Sequence, residues 1–294
     1  MGSSCGARTY ACYGRVPGFT RTPTEGIEVE SGTSLVPVSA LAVAGAMAVV
    51  WLVSVAIRNV SIVDVVWGPA IGLVAAVALA LGPGVFERRL LVFALVGVWA
   101  VRLAVHIGRR NHGKGEDYRY ATWRAKYGPG YWWISLFQVF WLQGLLLLVV
   151  SLPVQAAGAG ETPASLGVLD WLGAAVWLVG FAFEAVGDAQ LERFKADPAK
   201  RGTVMDRGLW RYTRHPNYFG DAAVWWGIGL VGLGTPWGWV ALVGPVVMTF
   251  LLVRVSGVAM LEKTIGERRP GYAEYIRRTS AFFPLPPKKA PAAS

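Results

Sequence analysis

Two cysteines and three histidines are all that the 294 residues offer to a disulfide or a metal centre. Cys5 and Cys12 lie together in the N-terminal tail, where they cannot staple a core, and no C-x-x-C or mixed Cys/His spacing exists. His106, His112 and His215 are scattered, so no metal site is expected. Charge is scarce too: 16% of residues are Asp, Glu, Lys or Arg, against about 25% in average soluble domains. No G-x-G-x-x-G follows a strand pattern and no Walker sequence occurs, so a nucleotide would have to bind without a soluble nucleotide fold. Residues 1–34 lack the apolar segment of a signal peptide and read as an irregular tail.

What the chain has in quantity is apolar length. Hydrophobic residues make up 54% of it, in runs near the twenty residues that cross a bilayer. The runs are Val36–Ile57, Val60–Leu81, Leu90–Ile107, Tyr131–Leu152, Val168–Asp188, Phe219–Leu233 and Trp237–Val255. The expected fold is all-α: a polytopic membrane protein of about seven transmembrane helices, with a membrane domain over 35–284 and a flexible tail over 285–294. The net charge of +10 (28 Lys and Arg minus 18 Asp and Glu) falls in loops flanking the spans, which argues for membrane topology rather than nucleic acid. Residues 108–130, 189–216 and the segment after 255 are basic, whereas 153–167 contain no Lys or Arg. The positive-inside rule then puts the N-terminus outside and the C-terminus in the cytoplasm, in an inner membrane. Arg88 and Arg89 run against this pattern, since they fall in a loop assigned outside. The tryptophan pairs Trp132-Trp133 and Trp225-Trp226, with Trp237 and Trp239, read as interfacial anchors.

The chemistry concentrates in residues 206–221. Arg207, Arg211 and Arg214 supply cations just before His215-Pro216, and Pro216 suits the first turn of a helix that begins there. Asn217 and Asp221 then lie one turn apart on one face of that helix. Other ionisable residues interrupt the spans: Asp64, the pair Arg102 and His106, and the pair Glu184 and Asp188. Such groups are costly in lipid unless they pair or bind something polar. Their common depth implies a cavity open to the cytoplasm, and the nearby cations, Lys195 among them, suit a phosphorylated cofactor.

The stretch Gly208 to Asp221 (GLWRYTRHPNYFGD), with FKADP over 194–198 and RPGYAEYIRRTSAFFP over 269–284, resembles the steroid 5-alpha-reductase family, in its bacterial branch. SIVDVVW over 61–67 and GEDYRY over 115–120 are similar to that branch as well. The resemblance covers residues 40–284. It implies a seven-helix enzyme that uses NADPH to reduce a C=C bond conjugated to a carbonyl in a steroid-like or other lipid. Asn217 would hold the nicotinamide end, and Asp188, Lys195, Arg102, Glu184 and Asp221 match cofactor-side positions. Arg211, Tyr212, Arg214, His215 and Tyr218 complete the set within the motif. Asp221 stands where the family usually has glutamate, Glu184 where steroid-reducing members have asparagine, and Trp99 where they have tyrosine. Asp64 approximates a second-helix glutamate and is the expected proton donor, with Tyr118, Tyr120 and His106 as substitutes. The implied partners are a lipid substrate and membrane lipids, no nucleic acid, and a monomeric state. The competing reading is a membrane methyltransferase of the isoprenylcysteine type using S-adenosylmethionine. Those proteins share Arg214-His215-Pro216-x-Tyr218-x-Gly220 and an acidic motif echoed by Glu262 and Tyr272–Tyr275.

Overall fold

The computed structural model describes residues 35–236, 238–255 and 271–288. The N-terminal tail with Cys5 and Cys12, Trp237, and the stretch holding Glu262 and Lys263 lie outside the described residues. Within them the secondary structure is helical and contains no strand. Three long apolar helices come first: α1 (Leu35–Ile57), α2 (Ile62–Leu81) and α3 (Phe86–Asn111). A bent helical path then runs from Tyr118 to Val150. It comprises α4 (Tyr118–Tyr127), α5 (Tyr131–Ser135), a π-helical stretch over Leu136–Trp141, and α6 (Leu142–Val150). The short α7 (Leu152–Ala159) leads to α8 (Val168–Ala196) and α9 (Pro216–Leu233). After α10 (Gly238–Ala241) and α11 (Val243–Phe250) the described chain ends with α12 (Tyr272–Arg278).

Six of these paths are long and apolar enough to cross a membrane: 35–57, 62–81, 86–111, 118–150, 168–196 and 238–255. The helix expected over Phe219–Leu233 exists as α9 but is not one of the six. The reason is compositional. α9 carries Asn217, Asp221 and the glycines 220, 227, 229 and 232, which lower its hydropathy. It tolerates them because protein rather than lipid surrounds much of it: Val224, Trp225, Ile228 and Val231 are fully buried. α1 shows the opposite balance, with Leu41 75% and Val49 60% exposed. Apolar side chains turned outward in this way suit hydrocarbon.

α8 and α9 approach so closely that only glycine fits between them. A methyl on Gly220 would stand 2.3 Å from the Glu184 amide nitrogen, and one on Gly180 2.5 Å from that of Val224. Two turns further along, Gly173 and Gly227 face each other's carbonyl oxygens at 2.5 and 2.6 Å in the same test. Lipid offers helices no hydrophobic reason to associate, so close backbone packing through small residues takes over.

Arg88 proves to be a structural clamp, which removes the anomaly in the charge pattern. It is fully buried against Asp170 (Nε–Oδ1 2.9 Å, Nη2–Oδ2 3.3 Å). It also donates to the carbonyls of Gly160 (3.3 Å), Pro163 (3.3 Å) and Ser165 (3.1 Å), tying the 160–167 loop to the starts of α3 and α8. Arg89 caps the end of α2 through Leu79 O at 2.8 Å. Both arginines are thus held by protein groups. The tryptophans divide in a similar way. Trp132, Trp133 and Trp239 are 52%, 49% and 65% exposed, whereas Trp225 is fully buried edge-on against Trp99, a core contact and not an anchor.

Two changes test this frame by unfolding in detergent. Arg88→Met leaves the Asp170 charge buried and unpaired and should cost about 3–5 kcal/mol, most of it recovered in Arg88→Met/Asp170→Leu. Gly220→Ala, which pushes a methyl into the α8 backbone, should cost about 1–3 kcal/mol.

Candidate functional site

The glycine seam sets the site, because it brings the second half of α8 against the first turns of α9. Glu184, Asp188 and Glu192 succeed one another at four-residue steps on α8, and Arg102, His106 and Arg109/Arg110 at similar steps on α3. The Arg102 guanidinium bonds to both Glu184 and Asp188, one nitrogen to each carboxylate, and also reaches the Glu184 carbonyl at 3.2 Å. Asn217 on α9 donates to the second oxygen of Asp188 at 3.0 Å. His106 stands between Asp188 (3.4 Å) and the exposed Glu192 (3.0 Å). A groove of about 600 Å³ between α3 and α8 opens over Arg102, His106, Arg109, Asp188 and Glu192.

Several buried polar atoms in this cluster have no hydrogen-bond partner: Glu184 Oε2, Asn217 Oδ1 and Asp221 Oδ1. All three are acceptors. The Trp99 indole nitrogen faces the Glu184 and Asp221 carboxylates without reaching hydrogen-bond geometry. One guanidinium thus serves an arrangement with three carboxylates. Buried acceptors left unpaired are costly, so the cluster suits a ligand that brings N–H or O–H donors. A nicotinamide carboxamide and ribose hydroxyls are donors of that kind. Arg109, Arg110 and Lys195 continue the two helix faces outward with cations.

A second polar group surrounds Asp64 at the start of α2. Arg119 pairs with one carboxylate oxygen at 2.7 Å, and the Tyr120 hydroxyl donates to the other at 2.8 Å. Gln143 donates to the same hydroxyl at 3.3 Å. In this arrangement Asp64 accepts, and the proton on offer belongs to Tyr120. Tyr118, by contrast, is 67% exposed at the N-terminus of α4. Tyr218 is within electrostatic reach of Asp188 and Asp221 and also of Arg110 and Arg119. Below them, in the 112–117 loop, Glu116 accepts two bonds from Arg124 at 2.8 Å and one from the Val60 amide at 2.8 Å.

The motif arginines have divided tasks. Arg214 is buried and caps the last turn of α12, donating to Thr279 O at 2.6 Å and Ile276 O at 3.2 Å, while its amide donates to Ser280 O at 2.9 Å. Thr213 and Tyr212 extend this seam through Thr213 Oγ1 to Phe282 O (2.8 Å) and Leu285 N to Tyr212 O (3.0 Å). Tyr275 donates to the Trp210 carbonyl, and Arg278 pairs with Asp206. His215 is buried and stacks on Tyr218 at 5.4 Å. Arg211 and Lys195 are exposed. Arg102, Glu184, Asp188, Asn217, Asp221 and His106 therefore come together. Arg214 instead holds the C-terminal segment, for which its position in a basic motif gave no sign. Glu192, Gln143 and the Trp99–Trp225 pair escaped the reading of the chain, because nothing in a lone polar or aromatic residue tells which face it will meet.

Residues 50–279 match a family described as a protein of unknown function, DUF1295. An uncharacterized protein of Schizosaccharomyces pombe, C594.04c, is 27% identical over 270 residues, covering 80% of this chain and 76% of its own. The cobalt-zinc-cadmium resistance protein CzcN of Cupriavidus metallidurans is 29% identical over 85 residues, 29% of this chain and 37% of its own. Among the described residues no group of three His, Cys, Asp or Glu side chains is arranged to hold a metal ion. No solved structure matches the chain.

The Glu116 pair gives a pH prediction. Burial raises its carboxyl, but the Arg124 bonds and the Val60 amide outweigh that and hold its pKa below the usual glutamate range. A depressed folded pKa means that the stabilisation is complete above the unfolded value of about 4.3 and is lost as pH falls through the lower folded value. Thermal unfolding followed downward from pH 7 should show this loss, and Arg124→Gln should remove that part of the acid limb. An acid limb unchanged in Arg124→Gln would exclude the pairing.

Proposed function

This chain belongs to the DUF1295 family, and from its polar cluster we propose that it is an integral membrane reductase using NADPH on a C=C bond conjugated to a carbonyl in a lipid. The observation that carries the reading is the set of buried, unpartnered acceptors on Glu184, Asn217 and Asp221, anchored by Arg102 at the meeting of three helices. Its support from the sequence is the likeness of residues 208–221 to the steroid 5-alpha-reductase family.

Bound there, NADPH would supply a hydride for the β-carbon of the enone. The work of the chain is to orient and to move protons. Glu184, Asn217 and Asp221 would accept from the carboxamide and ribose donors and so fix which face is presented. Arg102 holds the two carboxylates of α8 in place, and its own position is fixed by both. Trp99 faces the cluster and is held edge-on against the buried Trp225. As negative charge develops on the carbonyl oxygen, the Tyr120 hydroxyl would donate to it, oriented by Asp64 and Gln143 and backed by the Arg119 charge, and a proton taken up at the α-carbon would complete the saturated carbonyl product. The basic loops would face the cytoplasm, where the cofactor is found.

The test is thermal unfolding of the full chain in detergent with NADPH, NADH, S-adenosylmethionine or no ligand. NADPH at about 100 times its Kd should stabilise by about 2.7 kcal/mol, and Asn217→Ala should abolish the gain. Tyr120→Phe should keep the gain while lowering enone turnover by about 10²-fold or more. Stabilisation by S-adenosylmethionine alone would replace the reading with methyl transfer.

A further inference from the structure

At the other side of α4 a second cavity, of about 530 Å³, is enclosed by the end of α1, the 128–130 turn and α5. Its volume is in the range of small-molecule sites, roughly 300–1,000 Å³. No carboxylate lines it. Two guanidiniums do: Arg58, directly after α1, and Arg124. Arg124 is committed on one side to Glu116, which it neutralises with two bonds. Arg58 makes no side-chain bond or ion pair with any described residue, so it leaves the cavity with a net positive charge. Arg58 also stands at φ 53°, the left-handed region where a helix end ordinarily has glycine.

Tyr131 supplies the independent sign of a ligand. Its side chain is 1% exposed, its hydroxyl has no partner, and its ring lies under the Arg124 guanidinium at 5.0 Å. Buried hydroxyls almost always have partners, so a donor left over beside Arg124, in a cavity that Arg58 also lines, marks a place for an anion. Val55, Val60, Pro129 and Trp132 give the cavity an apolar side as well. Trp51, one helical turn before Ser54 and Val55 on the same face of α1, stacks on Trp132 at 6.1 Å and donates to the Trp132 carbonyl at 2.7 Å. Cations and apolar surface thus meet in one cavity at the end of α1. A phospholipid joins the same two characters, and basic pockets between spans at the membrane surface take anionic headgroups.

We propose that this cavity binds the phosphate of an anionic phospholipid, with Arg58 and Arg124 on the phosphate oxygens and the Tyr131 hydroxyl donating to one of them. The site is separate from the polar cluster and does not depend on the reductase reading.

The experiment is thermal unfolding of the full chain in a neutral detergent. The additives are dihexanoyl phosphatidylglycerol, dihexanoyl phosphatidylcholine or glycerol phosphate, with no nucleotide present. Phosphatidylglycerol should raise the Tm well above phosphatidylcholine. Arg58→Gly relieves the left-handed backbone and should not lower the Tm without lipid, yet should weaken the lipid effect about fivefold, the worth of one cation at an anionic surface. Tyr131→Phe should likewise fold and lose part of the effect. Asn217→Ala should keep all of it, so failure of the cofactor reading leaves this result readable. Equal phosphatidylglycerol shifts in the parent, Arg58→Gly and Tyr131→Phe would overturn the site. A shift with glycerol phosphate as large as with the lipid would overturn the lipid as its source.

Discussion

Everything in the polar half of this molecule depends on how closely α8 and α9 can approach. Gly173, Gly180, Gly220 and Gly227 let backbone meet backbone, and any side chain there would force the helices apart. In lipid the gain comes from van der Waals contact and not from excluding water, so the fit has to be tight to hold at all. That tightness is then inherited by the chemistry. Asp188 and Asn217 bond across the seam, Glu184 and Asp221 sit beside them, and Arg102 closes the cluster from α3.

The charges divide into those that build and those left to act. Arg88 with Asp170 builds, holding a loop to two helix starts with every donor turned to protein. Arg214 builds too, since it fastens the C-terminal segment to the loop that leads into α9. By this the polar loop and the last described helix are tied together. Arg102 has a double character, because it neutralises two carboxylates yet leaves Glu184 Oε2 and Asp221 Oδ1 without partners. A buried ion pair is weak evidence for stability. A buried pair with acceptors to spare is better understood as a binding arrangement.

Asp64 and its neighbours extend that logic to proton supply. Asp64 pairs with Arg119 through one of its carboxylate oxygens. With Tyr120 on its other oxygen the pair has both a movable proton and a charge to orient it. The placement of this pair in α2 and α4 leaves it on elements distinct from those that form the Arg102 cluster, so the two halves of a reaction would be assembled from separate helices.

The membrane nature of the chain, the helical class and the approximate position of each long helix follow from the sequence alone. Hydrophobic runs of bilayer length have no other economical solution, and the basic loops mark their ends. Also legible was that Asn217, Asp221, Asp188, Glu184 and Arg102 are charged or polar where lipid forbids it. The tertiary structure decided which of them meet. α9 was readable as a helix, but not as the glycine-lined centre whose polarity protein neighbours make tolerable. Arg88 and Arg214 look in the sequence like the other arginines, and only their surroundings turn them into clamps. Trp225 looks like its neighbour Trp226, yet one is core and the other faces outward. The physical reason is the same in each case. Composition determines whether a segment leaves water, but the partner of a side chain is set by residues far away in the chain, 86 positions for Arg102 and Asp188 and 82 for Arg88 and Asp170.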